Sequence, residues 1–407
     1  MNIAIYIAKR IAFNSEKSFS RFIIRLSIGA TAISVAAMIL TLCFVNGFQY
    51  SITNKVYSFW GHIRVQHYNI GRALVAEEIP ILSNDTVENI LKKNKEIKAI
   101  QPFATKATVL QFKNEIEGCL IKGINHQYDS SLIKSSIQQG RWLHFNDTTY
   151  SKEIVLSVPL ANLLQAKIND TVKVNFIQNN ESSTYRKLKV VGIYKTGIEE
   201  YDKQFIIADL KLLQTVNNWT NNQIGGYEIL VHQTNNIDAV IDSLQLPIEW
   251  QGKSIKQVYI NIFDWLQAMN VNRDVVFVIM GIVAVINLIT CLLILVLERT
   301  KMVGILKALG SSDTSIQTIF LYYASIIAFA GICLGLIIGL GLGFLQQQFG
   351  FIKLDEANYM VNIAPIKFIW WQNVLIIIVT ALVCFLAFII PTFLVKKIKP
   401  IQAIRFN

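Results

Sequence analysis

Long uncharged apolar runs dominate the hydrophobic pattern of the chain. Four of them are long enough to cross a bilayer, which takes about 20 apolar residues. Leu26–Val45 and Val275–Leu297 hold no charged residue. The second would span roughly 34 Å at about 1.5 Å per residue. Ile316–Leu345 is uncharged and long enough to tilt, and Val374–Val395 carries Pro391 near its end. Uncharged runs of this length are rare in soluble cores. The pattern therefore predicts transmembrane helices at 26–48, 275–297, 316–345 and 374–395.

Between the first two runs, at 49–272, the pattern turns polar and alternating. HIRVQH at 62–67, Thr108–Lys113, Thr171–Phe176 and Tyr227–Val231 alternate as strands do. Helices are predicted at Asp85–Lys93, behind an Asn84/Asp85 cap, and at Asn236–Leu244. Each completes a strand–helix–strand unit: HIRVQ…DTVENILKK…IKAIQPF, and YEILV…NIDAVIDSL…PIEW. These spacings predict a split subdomain (49–124 and 216–262) around a β-rich insertion (125–215). The predicted fold class is a membrane protein of four transmembrane α-helices, with a large α/β extracytoplasmic domain inserted between helices 1 and 2.

Charge placement orients the spans. The first 25 residues carry Lys9, Arg10, Lys17, Arg21 and Arg25; the 298–315 loop carries Arg299, Lys301 and Lys307; the 396–407 tail carries Lys396, Lys397, Lys399 and Arg405. The 346–373 loop has only Lys353 and Lys367, offset by Asp355 and Glu356. Basic residues in short loops mark the cytoplasmic side, so both termini and the 298–315 loop are expected inside and 49–272 outside. Ile3, Ile7 and Ile11 fall on one helical face of the N-terminal segment, as in a helix lying on a membrane surface. No small-residue cleavage site follows the first run, which argues against a cleaved signal peptide. The net charge of +11 is absorbed by this topology, and nucleic acid is not an expected partner. Charged residues make up only 16 % of the 407, against about 25 % in an ordinary soluble protein, and the mean hydropathy is +0.41. Five cysteines, four of them in apolar runs, do not form a disulfide scaffold.

Catalytic signatures are missing. Gly118–Gly123 is followed by Ile124 where a phosphate-binding loop needs lysine. The five histidines lack metal-ligand spacing, and no nucleophile motif occurs. The apolar spans hold no Asp, Glu, Lys or Arg of the kind an ion-coupled transporter needs. No metal or cofactor is expected on this chain, and work would need an energy source on a partner.

Two patterns suggest mechanical roles. In ERTKMVGILKALGSS, at 298–312, Met302, Ile305, Leu306 and Leu309 form one apolar stripe beside Glu298, Arg299, Lys301 and Lys307, with Gly304 and Gly310 between. It reads either as an interfacial helix or as a lever docking in a cytoplasmic partner. Gly331, Gly335, Gly339 and Gly343, each four apart, form a small-residue face that lets helices approach closely. Asn287 is either an interhelical hydrogen bond or a substrate contact. Leu42, Phe44, Val45 and Phe48 on the first span, and Val276, Phe277, Met280 and Val283 on the second, offer an apolar shelter or simply face lipid. Trp60, Trp265, Trp370 and Trp371 read as interfacial aromatics.

E-R-T-K-x-x-G-I-L-K-A-L-G resembles the coupling segment of the FtsX/MacB/LolC-LolE superfamily of ABC-transporter permeases, the mechanotransmission class. The resemblance runs the length of the chain: IAKR and SVAAMILTLCFVNGF near the start, KGI at 122–124, QQGRW at 138–142, EIVLSVPLANLL at 153–164, LDEANYMVNIAPIKF at 354–368 and KPIQAIRFN at the end. VGIYKTGIEEYD at 191–202 resembles the G-x-F-x-x-G-x-x-E-Y-D segment of the lipoprotein-releasing LolC/LolE permeases in particular. Ser157 stands where a glycine is usual, and Asn169 stands for the glycine of a G-D turn. The resemblance implies a non-catalytic inner-membrane permease. It implies a LolD-like ATPase that holds ATP and Mg, a second permease subunit (the same chain or a sister), a lipoprotein substrate and a LolA-like periplasmic carrier. In that setting 298–310 is the ATPase-coupling element, and the apolar residues of spans one and two are substrate candidates. MacB-like efflux and FtsX-like signalling to a cell-wall hydrolase are the competing expectations.

Overall fold

The computed structural model describes residues 19–68, 81–83, 85–146, 148–177 and 183–392. The N-terminal amphipathic segment, Asn84 and the basic tail lie outside them. The chain divides into two compact units. One holds the residues up to Tyr50, Trp265–Lys353 and the chain from Ile363; the other holds Ser51–Asp264 and Leu354–Asn362.

Among the described residues, four helices are long and apolar enough to cross a membrane: Phe19–Trp60, Ile260–Glu298, Asp313–Phe349 and Trp370–Thr392. They coincide with the four apolar runs but three are much longer, because polarity ends a hydrophobic run without ending a helix. Gln49–Trp60 has no glycine or proline, so the first helix continues until Gly61 turns the chain at φ +70°. The second begins fifteen residues before Val275 for the same reason.

In the first unit, glycines bring the third helix against the first. A Cβ on Gly335 would lie 2.6 Å from the Ala32 carbonyl oxygen and 2.7 Å from the Val35 Cβ. Gly331 meets Thr31 and Gly339 meets Ala36 in the same way, whereas Gly343 faces the ring of Phe368. The segment after Asn362 is pinned to the first helix: Lys367 N donates to the Cys43 carbonyl at 3.0 Å, and Gly47 leaves room for Pro365.

The second unit is built on one ten-stranded sheet. Its strands, with those of a separate two-stranded pair, are β1 (Ile63–His67), β2 (Ile81–Leu82), β3 (Ile97–Phe112), β4 (Glu115–Ile124), β5 (Ile137–Gly140), β6 (Glu153–Ser157), β7 (Thr171–Ile177), β8 (Ser183–Tyr194), β9 (Phe205–Asp209), β10 (Gln223–Ile224), β11 (Gly226–Val231) and β12 (Trp250–Ser254). The order is β12-β1-β11-β3-β4-β9-β6-β8-β5, with β7 bridging β3 and β8. Both strand–helix–strand units exist, with helices at Asp85–Lys93 and Ile237–Ser243. They interleave. β11 fills the gap between β1 and β3, and β1 fills the gap between β11 and β12, all antiparallel. This is the split β-α-β arrangement, and the strands from 115 to 209 extend the same sheet.

The two departures from family glycines are absorbed locally. Asn169 takes the left-handed conformation itself (φ +74°), which asparagine tolerates better than most residues. Ser157 caps the helix Val158–Leu164, its Oγ accepting from Leu160 N.

Candidate functional site

The helix Thr300–Ala308 follows a break at Arg299 and closes at Gly310, where φ is +89°. The structure divides the stripe that the sequence placed on one face. Met302 and Leu306 pack on a cluster that includes Leu295, Val296, Ile316 and Phe320, and Val303 and Gly304 between them are buried. Ile305 and Leu309 are 53 % and 78 % exposed, and with Lys301 they form a separate outer face at four-residue spacing. A stripe about 100° wide is broad enough for its two edges to serve different partners. Glu298 is exposed, Arg299 half-buried, and Lys307 pairs with Asp313 at 2.9 Å.

Of the apolar residues on the first two spans, Leu42, Phe277 and Met280 meet in one cluster with Val35, Ile39 and Ile332. Val45 and Phe48 are buried, the Phe44 ring meets that of Phe48 in a tilted contact with centroids 5.1 Å apart, Val276 is half-buried and Val283 is exposed. Phe277 also lines an apolar cavity of about 450 Å³ with Met38, Gly281, Ile282, Ile376 and Thr380. Asn287 is half-buried within the second helix.

In the second unit the first helix ends in an aromatic socket. Phe59 and Trp60 are fully buried; Phe59 stacks on Tyr201 (5.2 Å) and Tyr194 (6.1 Å), and Trp60 meets Phe205 and Tyr259. The interfacial reading of Trp60 is therefore corrected: it is a core side chain, while Trp370 and Trp371 are exposed and Trp265 is half-buried. Lys122 donates to the Phe59 carbonyl, neutralising the negative end of the helix, and pairs with Glu228 at 2.8 Å. Arg64 lies over the Trp60 and Phe103 rings at 5.1 and 4.6 Å. Burial pushes the Lys122 ammonium down to about 8 and the Glu228 carboxyl up; their pairing opposes both shifts. Sequence reasoning missed this charged core, because Arg64, Lys122 and Glu228 look like the polar face of half-exposed strands.

The VGIYKTGIEEYD segment forms a second joint in the same unit. Asp202 accepts from Thr196 N, Thr196 Oγ1 and Gly197 N at 2.8–2.9 Å, folding 195–202 into a rigid turn. Burial raises the Asp202 carboxyl against the pull of those bonds. Against this turn lies Leu354–Asn362, from the loop between the third and fourth long helices. Lys195 Nζ pairs with Glu356 at 2.5 Å, and Lys55 Nζ donates to the Met360 carbonyl at 2.6 Å. Gly197 (φ +79°) sits at the centre, where a Cβ would strike Lys55 Nζ and Glu356 Oε1. Among the described residues no group of three His, Cys, Asp or Glu side chains could hold a metal.

A family profile described as MacB-like periplasmic core domain matches residues 26–245, and one described as FtsX-like permease C-terminal matches 275–400. The lipoprotein-releasing system transmembrane protein LolC of Buchnera aphidicola is 25 % identical, covering 93 % of this chain and 94 % of its own. LolE of Haemophilus influenzae is 23 % identical over 99 % of both. The macrolide export ATP-binding/permease protein MacB of Bdellovibrio bacteriovorus is 21 % identical over 79 % of this chain and 52 % of its own. The periplasmic region of MacB from Actinobacillus actinomycetemcomitans gives a TM-score of 0.34 at 15 % identity, covering 49 % of this chain and 91 % of that one. The extracellular domain of the transporter YknZ gives 0.33 at 16 %, covering 47 % and 98 %.

Proposed function

Because the chain belongs to the permease family that joins a MacB-like periplasmic core domain to an FtsX-like C-terminal domain, we propose that it is the membrane subunit of an ABC machine that releases lipoproteins from the inner membrane. The carrying observation is the extent of the likeness to LolC and LolE. It runs through both units and nearly end to end, whereas the MacB relative is matched over about half its length. In this reading 49–272 lies in the periplasm and both termini are cytoplasmic. A separate LolD-like ATPase, holding ATP and Mg, docks on the outer face of Thr300–Ala308 at Lys301, Ile305 and Leu309. The protein works beside a second permease subunit and hands its substrate to a LolA-like carrier.

The geometry supports transmission of force rather than passage through a pore. Helices of 42 and 39 residues are about 63 and 59 Å long, roughly twice the hydrocarbon thickness. Such helices act as stiff rods, and the first ends in a socket whose aromatic and charged contacts resist slippage. Acyl chains removed from a membrane need apolar shelter, since each methylene exposed to water costs about 0.8 kcal/mol. Leu42, Phe277 and Met280 supply that shelter when the first two helices part, with Phe44, Val45, Phe48, Val276 and Val283 around them.

The test is reconstitution of the chain with its co-purifying ATPase in vesicles carrying a triacylated lipoprotein. ATP should move lipoprotein into the soluble, carrier-bound fraction. ATP hydrolysis with no lipoprotein moved, but with export of a macrolide or peptide, would favour the efflux reading that the MacB relative suggests.

A further inference from the structure

We propose that Leu354–Asn362 is a latch that carries ATP-driven motion from the third and fourth spans to the outer domain, with Lys195 and Glu356 as its positioning residues. The proposal rests on the permease reading above and adds a route that the chain's connectivity does not reveal. By sequence, only the first two spans run directly into the outer domain, while the third and fourth are joined by a short loop. Nine residues of that loop belong to the compact unit of the outer domain.

The contacts are built rather than incidental. The latch closes on itself, with Leu354 N donating to the Asn362 carbonyl at 3.0 Å and Asp355 capping the turn Glu356–Tyr359. Met360 adopts the left-handed conformation (φ +58°), which an unbranched side chain takes only when its surroundings enforce it. That strained turn aims the Met360 carbonyl at Lys55 Nζ and places Glu356 on Lys195. The receiving turn is preset by three hydrogen bonds to Asp202, and Gly197 leaves the space the latch needs. Val361 is buried, closing the contact with an apolar anchor. Lys55 lies on the first helix one turn before the buried Phe59, so the latch and the first span grip adjacent points of one domain. The geometry gives VGIYKTGIEEYD and LDEANYMVNIAPIKF, about 160 residues apart in sequence, a single shared purpose.

The test uses the full chain with its ATPase in nanodiscs and three variants: Lys195→Glu, Glu356→Lys, and the exchange of both. Hydrogen exchange reads two things: protection of 354–362, and the change across 51–264 when the ATPase is trapped with vanadate. Each single variant should raise exchange in 354–362 at least tenfold. It should also abolish most of the vanadate-dependent change across 51–264 while ATP hydrolysis continues. The exchanged pair should restore both. Unchanged protection in the single variants would overturn the latch. Loss of protection with a full vanadate response would overturn its role in transmission, as would a wild-type chain with no vanadate response. Lipoprotein release is measured separately, so a machine that transmits motion but releases no lipoprotein refutes the function above and leaves the latch standing.

Discussion

Gly335→Ala tests whether the third helix is held against the first by the absence of a side chain. The new Cβ would sit 2.6 Å from a backbone carbonyl oxygen and 2.7 Å from the Cβ of Val35. Neither neighbour can rotate away: one is main chain, and the other is the fixed root of a β-branched side chain. The helices must separate, and overpacking of this kind costs about 1–3 kcal/mol. Gly341→Ala, on the same helix, is the control, because a Cβ there meets nothing within 4 Å. Both changes gain the same helix propensity, roughly 1 kcal/mol in water. The difference between them therefore isolates the steric cost. Gly343→Ala should fall between, since its neighbour is the far edge of the Phe368 ring, which can tilt. The assay is reversible unfolding in mixed micelles with increasing SDS, followed by tryptophan fluorescence. Equal midpoints for the Gly335 and Gly341 variants would refute the close approach, as would Gly341→Ala being the weaker protein.

Three further outcomes are expected. Leu309→Glu and Ile305→Glu should abolish co-purification of the ATPase while leaving the SDS midpoint within about 0.5 kcal/mol of wild type, as surface changes do. Leu306→Glu should instead destabilise the chain itself, because Leu306 packs inward; a wild-type midpoint would show that the stripe is not divided. His62, whose Nδ1 accepts from Val231 N, is held neutral by burial with its pKa lowered to about 4. The unfolded chain takes up a proton near pH 6.5 that the folded chain refuses, so stability should fall as pH drops from 6.5 towards 4, by about 3 kcal/mol in all. His62→Asn should flatten that slope in thermal melts, and an unchanged slope would assign it elsewhere. Glu228→Gln leaves the buried Lys122 ammonium without its carboxylate and should cost about 3–5 kcal/mol. The double change Lys122→Met, Glu228→Leu should cost less than Glu228→Gln alone; simple additivity would show that the two do not act as a pair.

The four long helices were legible because nothing but a bilayer or a large core explains runs such as Val275–Leu297. Their true lengths were not, since residues 49–60 are amphipathic and read as the start of a domain. Both strand–helix–strand units were visible in local pattern, but their interleaving rests on pairings such as Ile63 with Ser254, which no local periodicity encodes. At 298–310 the pattern located the element and missed its orientation: four apolar residues within one stripe do not reveal which edge meets the protein's own core. The Lys122–Glu228 pair and the Lys195–Glu356 contact join residues 106 and 161 apart. A single sequence offers no signal for such pairs beyond the fact that Lys122, Lys195 and Glu356 lie in segments resembling the permease family.

The pairing of β1 with β11 and β12 sets the order of events during synthesis. β1 emerges early, yet both of its partners lie about 160 or more residues further along the chain. At 5–20 residues per second, that wait lasts on the order of 10–40 s. For that interval the apolar residues of β1 and of the long strand β3 have no native neighbour on the β11 side. Closure requires bringing together points separated by most of the domain, the kind of non-local step that slows folding. Nascent chains would therefore pass through a lengthy period of vulnerability to proteases and to mispairing, and one that ends only when Trp250–Ser254 has been made. Truncations before that strand should be degraded, whereas those after it should leave a protected core.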